Sequence, residues 1–178
     1  MITSMLARVD GVTMHVFTHQ HIHVHRLLDP SDLNCTYTKF FGWGSYLTSK
    51  LALVVWMKAL HEQVGPRNIV TLSLSPGVIP TGIWARTPPL LRAAVPLLCD
   101  RDAARGAATT VFCCVAPECG SAASAGGSHW SDCTRTHASW TACDQDLRRR
   151  LWLASNRALD AALVSSSGSA SWPSSTQG

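Results

Sequence analysis

Residues 44–60 read GSYLTSKLALVVWMKAL, and the fold turns on this stretch. Tyr46 and Lys50 stand four residues apart, which on a helix places a phenol and an ammonium on one face, about one turn from each other. Leu51, Val54, Val55 and Leu60 recur at helical spacing, while Ala52, Leu53, Met57 and Ala59 supply helix propensity. The pattern predicts a helix running to about Gln63 and ended by Gly65-Pro66. A phenol is a poor acid or base near neutrality, and an adjacent cation favours its phenolate form, so the pair suits proton transfer. Tyr and Lys at this spacing also serve as an ordinary surface pair, and spacing alone does not choose between the two.

On the C-terminal side of that helix, residues 69–75 (IVTLSLS) are β-rich and uncharged, as an inner parallel strand is. Pro76-Gly77-Val78-Ile79-Pro80-Thr81 follows at once, at the end of the strand where open α/β sheets bind ligands. On the N-terminal side, residues 12–18 (VTMHVFT) alternate and carry β-branched and aromatic side chains, which predicts a short strand; residues 29–44 read as loop. Residues 87–98 (TPPLLRAAVPLL) are an apolar patch interrupted by proline, read either as a lid over a nonpolar substrate or as a helix packed on the body.

Further along, residues 102–115 predict a small-residue helix stopped by Pro117, residues 118–127 a flexible Gly/Ser/Ala loop, and residues 128–131 a short last strand. Residues 144–164 predict a terminal helix whose face is Leu147, Leu151, Ala154, Ala158 and Leu159. The order strand, helix, strand, helix, strand, helix predicts a three-layer α/β fold around a parallel sheet, in one domain over residues 1–164. Residues 165–178 are a Ser-rich tail expected to be disordered.

The 178 residues suffice for one domain with a real core. A net charge of +4 arises from few acidic residues rather than many basic ones, so no nucleic-acid partner is expected, and Arg148-Arg149-Arg150 beside Asp144 and Asp146 reads as a solvated helix face. Seven cysteines, an odd number, with no secretory signal in residues 1–20, predict reduced thiols. A cytoplasmic location is the default, with membrane association left open. Cys113 and Cys114, in TTVFCCVA, read as small buried hydrophobes, and Cys99, Cys119, Cys133 and Cys143 lack paired zinc spacing, so no metal is expected. His19, His21, His23 and His25 would face one way if extended; without a carboxylate or cysteine to complete a site, a solvent-facing edge is preferred over a metal surface.

The run Tyr46-Leu47-Thr48-Ser49-Lys50-Leu51-Ala52, followed by Ser75-Pro76-Gly77-Val78 and Thr81, resembles the second half of the short-chain dehydrogenase/reductase family. It is most similar to the branch of retinol dehydrogenases and WW-domain-containing oxidoreductases. Residues 105–113 (RGAATTVFC) resemble that branch's helix after the substrate loop, and Leu151-Trp152 with Ser155 its C-terminal helix. The resemblance implies a Rossmann-like sheet and an NAD- or NADP-dependent oxidoreductase acting on a retinoid, steroid or other lipid-like alcohol or carbonyl. It implies that Tyr46 exchanges a proton with the substrate oxygen and that Lys50 binds the nicotinamide ribose hydroxyls and favours the phenolate. Pro76, Gly77 and Val78 would offer backbone to the carboxamide, Thr81 would bind carboxamide or phosphate, and residues 88–98 match the substrate loop.

The family's catalytic serine falls on Gln20 in ungapped register and on Thr18 after a shift of two residues, so Thr18 is the candidate third catalytic residue. The TGxxxGxG turn that cradles pyrophosphate and the NAG motif do not occur in this sequence. The resemblance therefore implies an incomplete domain without its N-terminal dinucleotide-binding half, with residues 12–18 as an open edge strand. Three readings follow: an oxidoreductase-family chain weakly active or inactive alone; a nonenzymatic fragment pairing as a homodimer or as a mixed dimer with a full-length relative, through that edge or the Tyr46 helix; or a degraded remnant without function.

Overall fold

The computed structural model describes residues 13–17, 28–34, 43–80, 93, 99 and 102–167. Four strands, β1 (Thr13–Phe17), β2 (Val70–Ser75), β3 (His129–Ser131) and β4 (Thr134–Thr136), form one sheet in that order. β1 and β3 pair parallel to β2, with Thr13 opposite Val70 and His129 opposite Ser73, and β4 pairs antiparallel to β3. The helices are α1 (Trp43–Val64), α2 (Ala103–Val115), α3 (Ala122–Ala125), α4 (Trp140–Cys143) and α5 (Gln145–Ser167). The sequence leaves Thr18, Thr81, the histidine run 19–25 and nearly all of residues 87–98 outside the described residues.

α1 ends as its sequence requires. A Gly65–Arg67 3-10 turn follows, and left-handed Asn68 (φ 58°) donates its amide to Gly65 O at 2.9 Å, which turns the chain into β2. All six residues of β2 are buried, so both faces of the strand are covered. Val70, Leu72 and Leu74 pack with Phe112 and Cys113 of α2, Cys119, Ala122 and Ala125, and Trp130 of β3. By alternation Thr71, Ser73 and Ser75 project from the opposite face, toward α1. The flank of α1 carrying Leu51, Val54 and Val55 packs in turn on Ala142, Leu147 and Leu151 of α4 and α5. Trp56 and Trp152 stack at 5.6 Å, and Arg148 pairs with Glu62 at 3.0 Å.

Four features differ from the sequence expectation. The sheet is mixed rather than wholly parallel, because a two-residue turn at Asp132 (φ 55°) and Cys133 (φ 56°) folds β4 back on β3; positive φ at both positions matches the twist of a hairpin. The supposed flexible loop 118–127 holds a 3-10 turn, Pro117–Cys119, and helix α3, with Cys119, Ala122 and Ala125 buried, since small side chains allow close approach to β2. α5 continues past residue 164 to Ser167, but Ala158 and Leu159 are exposed, because the first half of the helix makes its buried contacts. Arg148 is mostly buried in its pair with Glu62, whereas Arg150 stays at the surface, paired with Asp146 at 2.8 Å. Among the described residues no helix is long and apolar enough to cross a membrane.

Candidate active site

The position of Tyr46 and Lys50 follows from how α1 lies on the sheet. Lys50, Val54, Met57 and His61 recur at the i, i+4, i+7, i+11 spacing of one helix face. The His61 end is pinned to the start of β3: the imidazole packs so closely on Gly126 and Gly127 that a Cβ on Gly126 would strike it. Lys58 Nζ donates to Gly127 O at 2.9 Å, and the Gly127 amide donates to Thr71 O at 2.8 Å. His61 is thus level with Thr71 and α1 runs against the strand direction. Lys50 lies ~16 Å back along the helix, and Ser75 ~13 Å forward along β2. The two therefore meet at the carboxyl edge of the sheet, where Pro76, Gly77 and Val78 leave β2.

Lys50 Nζ stands 5.6 Å from the centre of the Tyr46 ring, within cation–π reach. The lysine is 4% exposed, and burial pulls its ammonium below the ordinary lysine range. Burial also pushes the Tyr46 phenol up. That reverses the effect expected from the spacing: desolvation dominates, and the resting group is a neutral phenol.

Gly77 adopts φ 82° and is buried, while Pro76, Val78 and Ile79 are half-buried. α2 supports this segment. A Cβ on Gly106 would collide with the Ile79 side chain and lie 3.7 Å from Pro76 O, so the glycine sets how closely the helix approaches. α2 begins at Asp102, whose carboxylate accepts the Arg105 amide at 2.8 Å. Ser75 Oγ is buried and has no hydrogen-bond partner among the described residues. Gly106 and Ser75 are the site residues that sequence reasoning missed as such. A glycine one turn after a capping aspartate was the available signal for the first; the second lay in the Ser75-Pro76-Gly77-Val78 run, which marked its place but gave it no role.

A buried ammonium able to donate hydrogen bonds, a buried hydroxyl and a glycine turn that leaves backbone approachable are the polar groups this edge offers a ligand. Among the described residues no group of three or more His, Cys, Asp or Glu is arranged to hold a metal ion.

Fold and site together define a mixed α/β protein with a ligand-type edge at the carboxyl ends of its parallel strands. An uncharacterised protein from Mycobacterium paratuberculosis has a crystal structure sharing this fold, at a TM-score of 0.52 and 17% identity over 82% of this chain and 49% of that one. No protein-family model matches. By sequence the chain is similar to the WW domain-containing oxidoreductase of Pongo abelii, 32% identical over 146 residues, and to that of Homo sapiens, 31% identical over 146 residues. Each match covers 79% of this chain and 34% of the relative, so the chain spans about a third of the length of these oxidoreductases, to which it is related.

Proposed function

We propose that the chain carries the proton-transfer and nicotinamide-ribose side of an NAD(P)-dependent oxidoreductase of the short-chain dehydrogenase/reductase kind, acting in the cytoplasm on a lipid-like alcohol or carbonyl. The observation that carries this reading is the buried Lys50 ammonium 5.6 Å from the Tyr46 ring, level with the Pro76-Gly77-Val78 segment. When bound, the nicotinamide cofactor supplies or accepts the hydride. Lys50 hydrogen-bonds the ribose hydroxyls, and the backbone of residues 76–78 receives the carboxamide. Thr18 and Thr81 keep the roles the family resemblance implies. Tyr46, protonated at rest, gives its proton to a carbonyl oxygen in reduction and recovers it in oxidation.

The lack of a pyrophosphate-cradling motif in the sequence argues that binding by this chain alone is weak and turnover low. Calorimetric titration with NADH and NADPH tests the reading. We expect saturable binding, weakened roughly tenfold or more in Lys50→Ala through loss of a charged hydrogen bond, and retained in Tyr46→Phe. No saturable binding by a cooperatively folded chain would overturn it.

A second reading, a nonenzymatic fragment pairing with a full-length relative, draws support from β1, which among the described residues is paired on one side only.

A further inference from the structure

The way α2 ends brings two cysteines together. Past Val115 the chain turns extended at Ala116 (φ −72°, ψ 131°), and the Pro117–Cys119 turn folds it back beneath the helix. Cys113 and Cys119 are 2% and 1% exposed, lie in one cluster with Val70, Leu72 and Leu74, and hydrogen-bond to each other. Burial raises both thiols, and their mutual contact adds to the rise at Cys113 while opposing it at Cys119.

The two sulfurs also differ in how they reach solvent. Cys119 rides on a short turn closed by Cys119 N to Ala116 O and Gly120 N to Pro117 O, both 3.0 Å, between exposed Glu118 and Gly120. Cys113 belongs to a 13-residue helix packed on β2. Local opening therefore frees Cys119 first.

We propose that Cys113 and Cys119 form a redox pair in which Cys119 attacks a small disulfide oxidant and Cys113 resolves the product. With oxidised glutathione, the Cys119 thiolate attacks one sulfur, expels one glutathione thiolate and forms a mixed disulfide. Cys113 loses its proton to water and attacks Cys119 Sγ; the Cys113–Cys119 bond forms as the Cys119–glutathione bond breaks, releasing the second glutathione. Two protein thiols give up two electrons and two protons, and oxidised glutathione takes them up as two thiols. The closed disulfide fixes the end of the helix whose Gly106 supports the Ile79 segment.

The test treats the whole folded chain with oxidised glutathione, quenches in acid, alkylates after unfolding and maps the peptides by mass. The expected result is loss of two thiols per chain in a Cys113–Cys119 link that persists in Cys114→Ser. Cys113→Ala accumulates glutathione on Cys119, whereas Cys119→Ala leaves Cys113 unmodified. Glutathione on Cys113 in the Cys119→Ala chain, a link between any other pair, or full alkylation of both cysteines after treatment would overturn the proposal. Should a variant fail to fold, the wild-type time course decides: glutathione on Cys119 must precede the link, and its appearance on Cys113 first would refute the assigned order.

Discussion

Lys50 shows how a single side chain trades stability for chemistry. Its ammonium is buried and its pKa lowered by desolvation, so at neutral pH the folded state holds a charge it would hold more cheaply unfolded. Lys50→Met, similar in length and apolar, is expected to stabilise the chain by about 1 kcal/mol in urea unfolding while weakening NADH binding roughly tenfold or more, as Lys50→Ala does. The gain should shrink as pH rises through the lowered lysine pKa, because the folded protein then sheds the charge. His61 follows the same logic in acid. Burial and Lys58 depress its pKa, with Glu62, itself paired to Arg148, pulling the other way. The unfolded chain binds the proton first, so stability is fully present above the ordinary value of 6.5 and falls as pH drops below it. Urea midpoints measured from neutral to mildly acidic pH should decline in wild type and flatten in His61→Gln.

Elements divide into those specified by their own residues and those specified by what they touch. α1, β2, α2 and α5 were legible because their signals lie within or beside the segment: a periodic face and a Gly-Pro stop for α1, a β-branched apolar run for β2, and aspartate caps for α2 and α5. Tyr46, Lys50 and residues 76–78 stand out in the sequence as runs of local spacing, and α1 and the end of β2 carry them. β4 was not: its turn uses Cys133, a poor turn former, and its three residues are all exposed, so no hydrophobic alternation marks it. α3 was hidden because Ala and Ser read as flexible until β2 supplies the surface they pack on. Gly106 was visible as a residue but not as a support, since its role depends on Ile79 from another segment. Two substitutions on α2 separate capping from support. Asp102→Ala should cost about 1 kcal/mol of stability and leave NADH affinity unchanged. Gly106→Ala should displace Ile79 and weaken NADH binding several-fold even where helix propensity offsets the strain, a difference calorimetry on both variants would read.

Across the whole molecule the two ends of the sheet are unlike. β4 closes one side as a three-residue strand of Thr134, Arg135 and Thr136, short, polar and charged, the composition that discourages further pairing. At the other side β1 extends five residues in parallel register with β2, and among the described residues nothing pairs with its outer edge. A parallel strand beyond β1 would continue the same sheet, and relatives of which this chain spans 34% have further chain from which to supply it. Mixing this protein with a separately made N-terminal dinucleotide-binding half of a relative should therefore yield a complex that co-elutes on size exclusion and binds NADH at least tenfold more tightly than either part. Replacing Val16 with proline removes an amide from β1 and should abolish co-elution if that amide faces the new strand. Met14→Pro and His15→Pro place the break at successive positions, and one of the three must disrupt assembly more than unfolding accounts for. Co-elution unaffected by all three would move the contact away from β1, and absence of co-elution by two folded parts would end the pairing hypothesis.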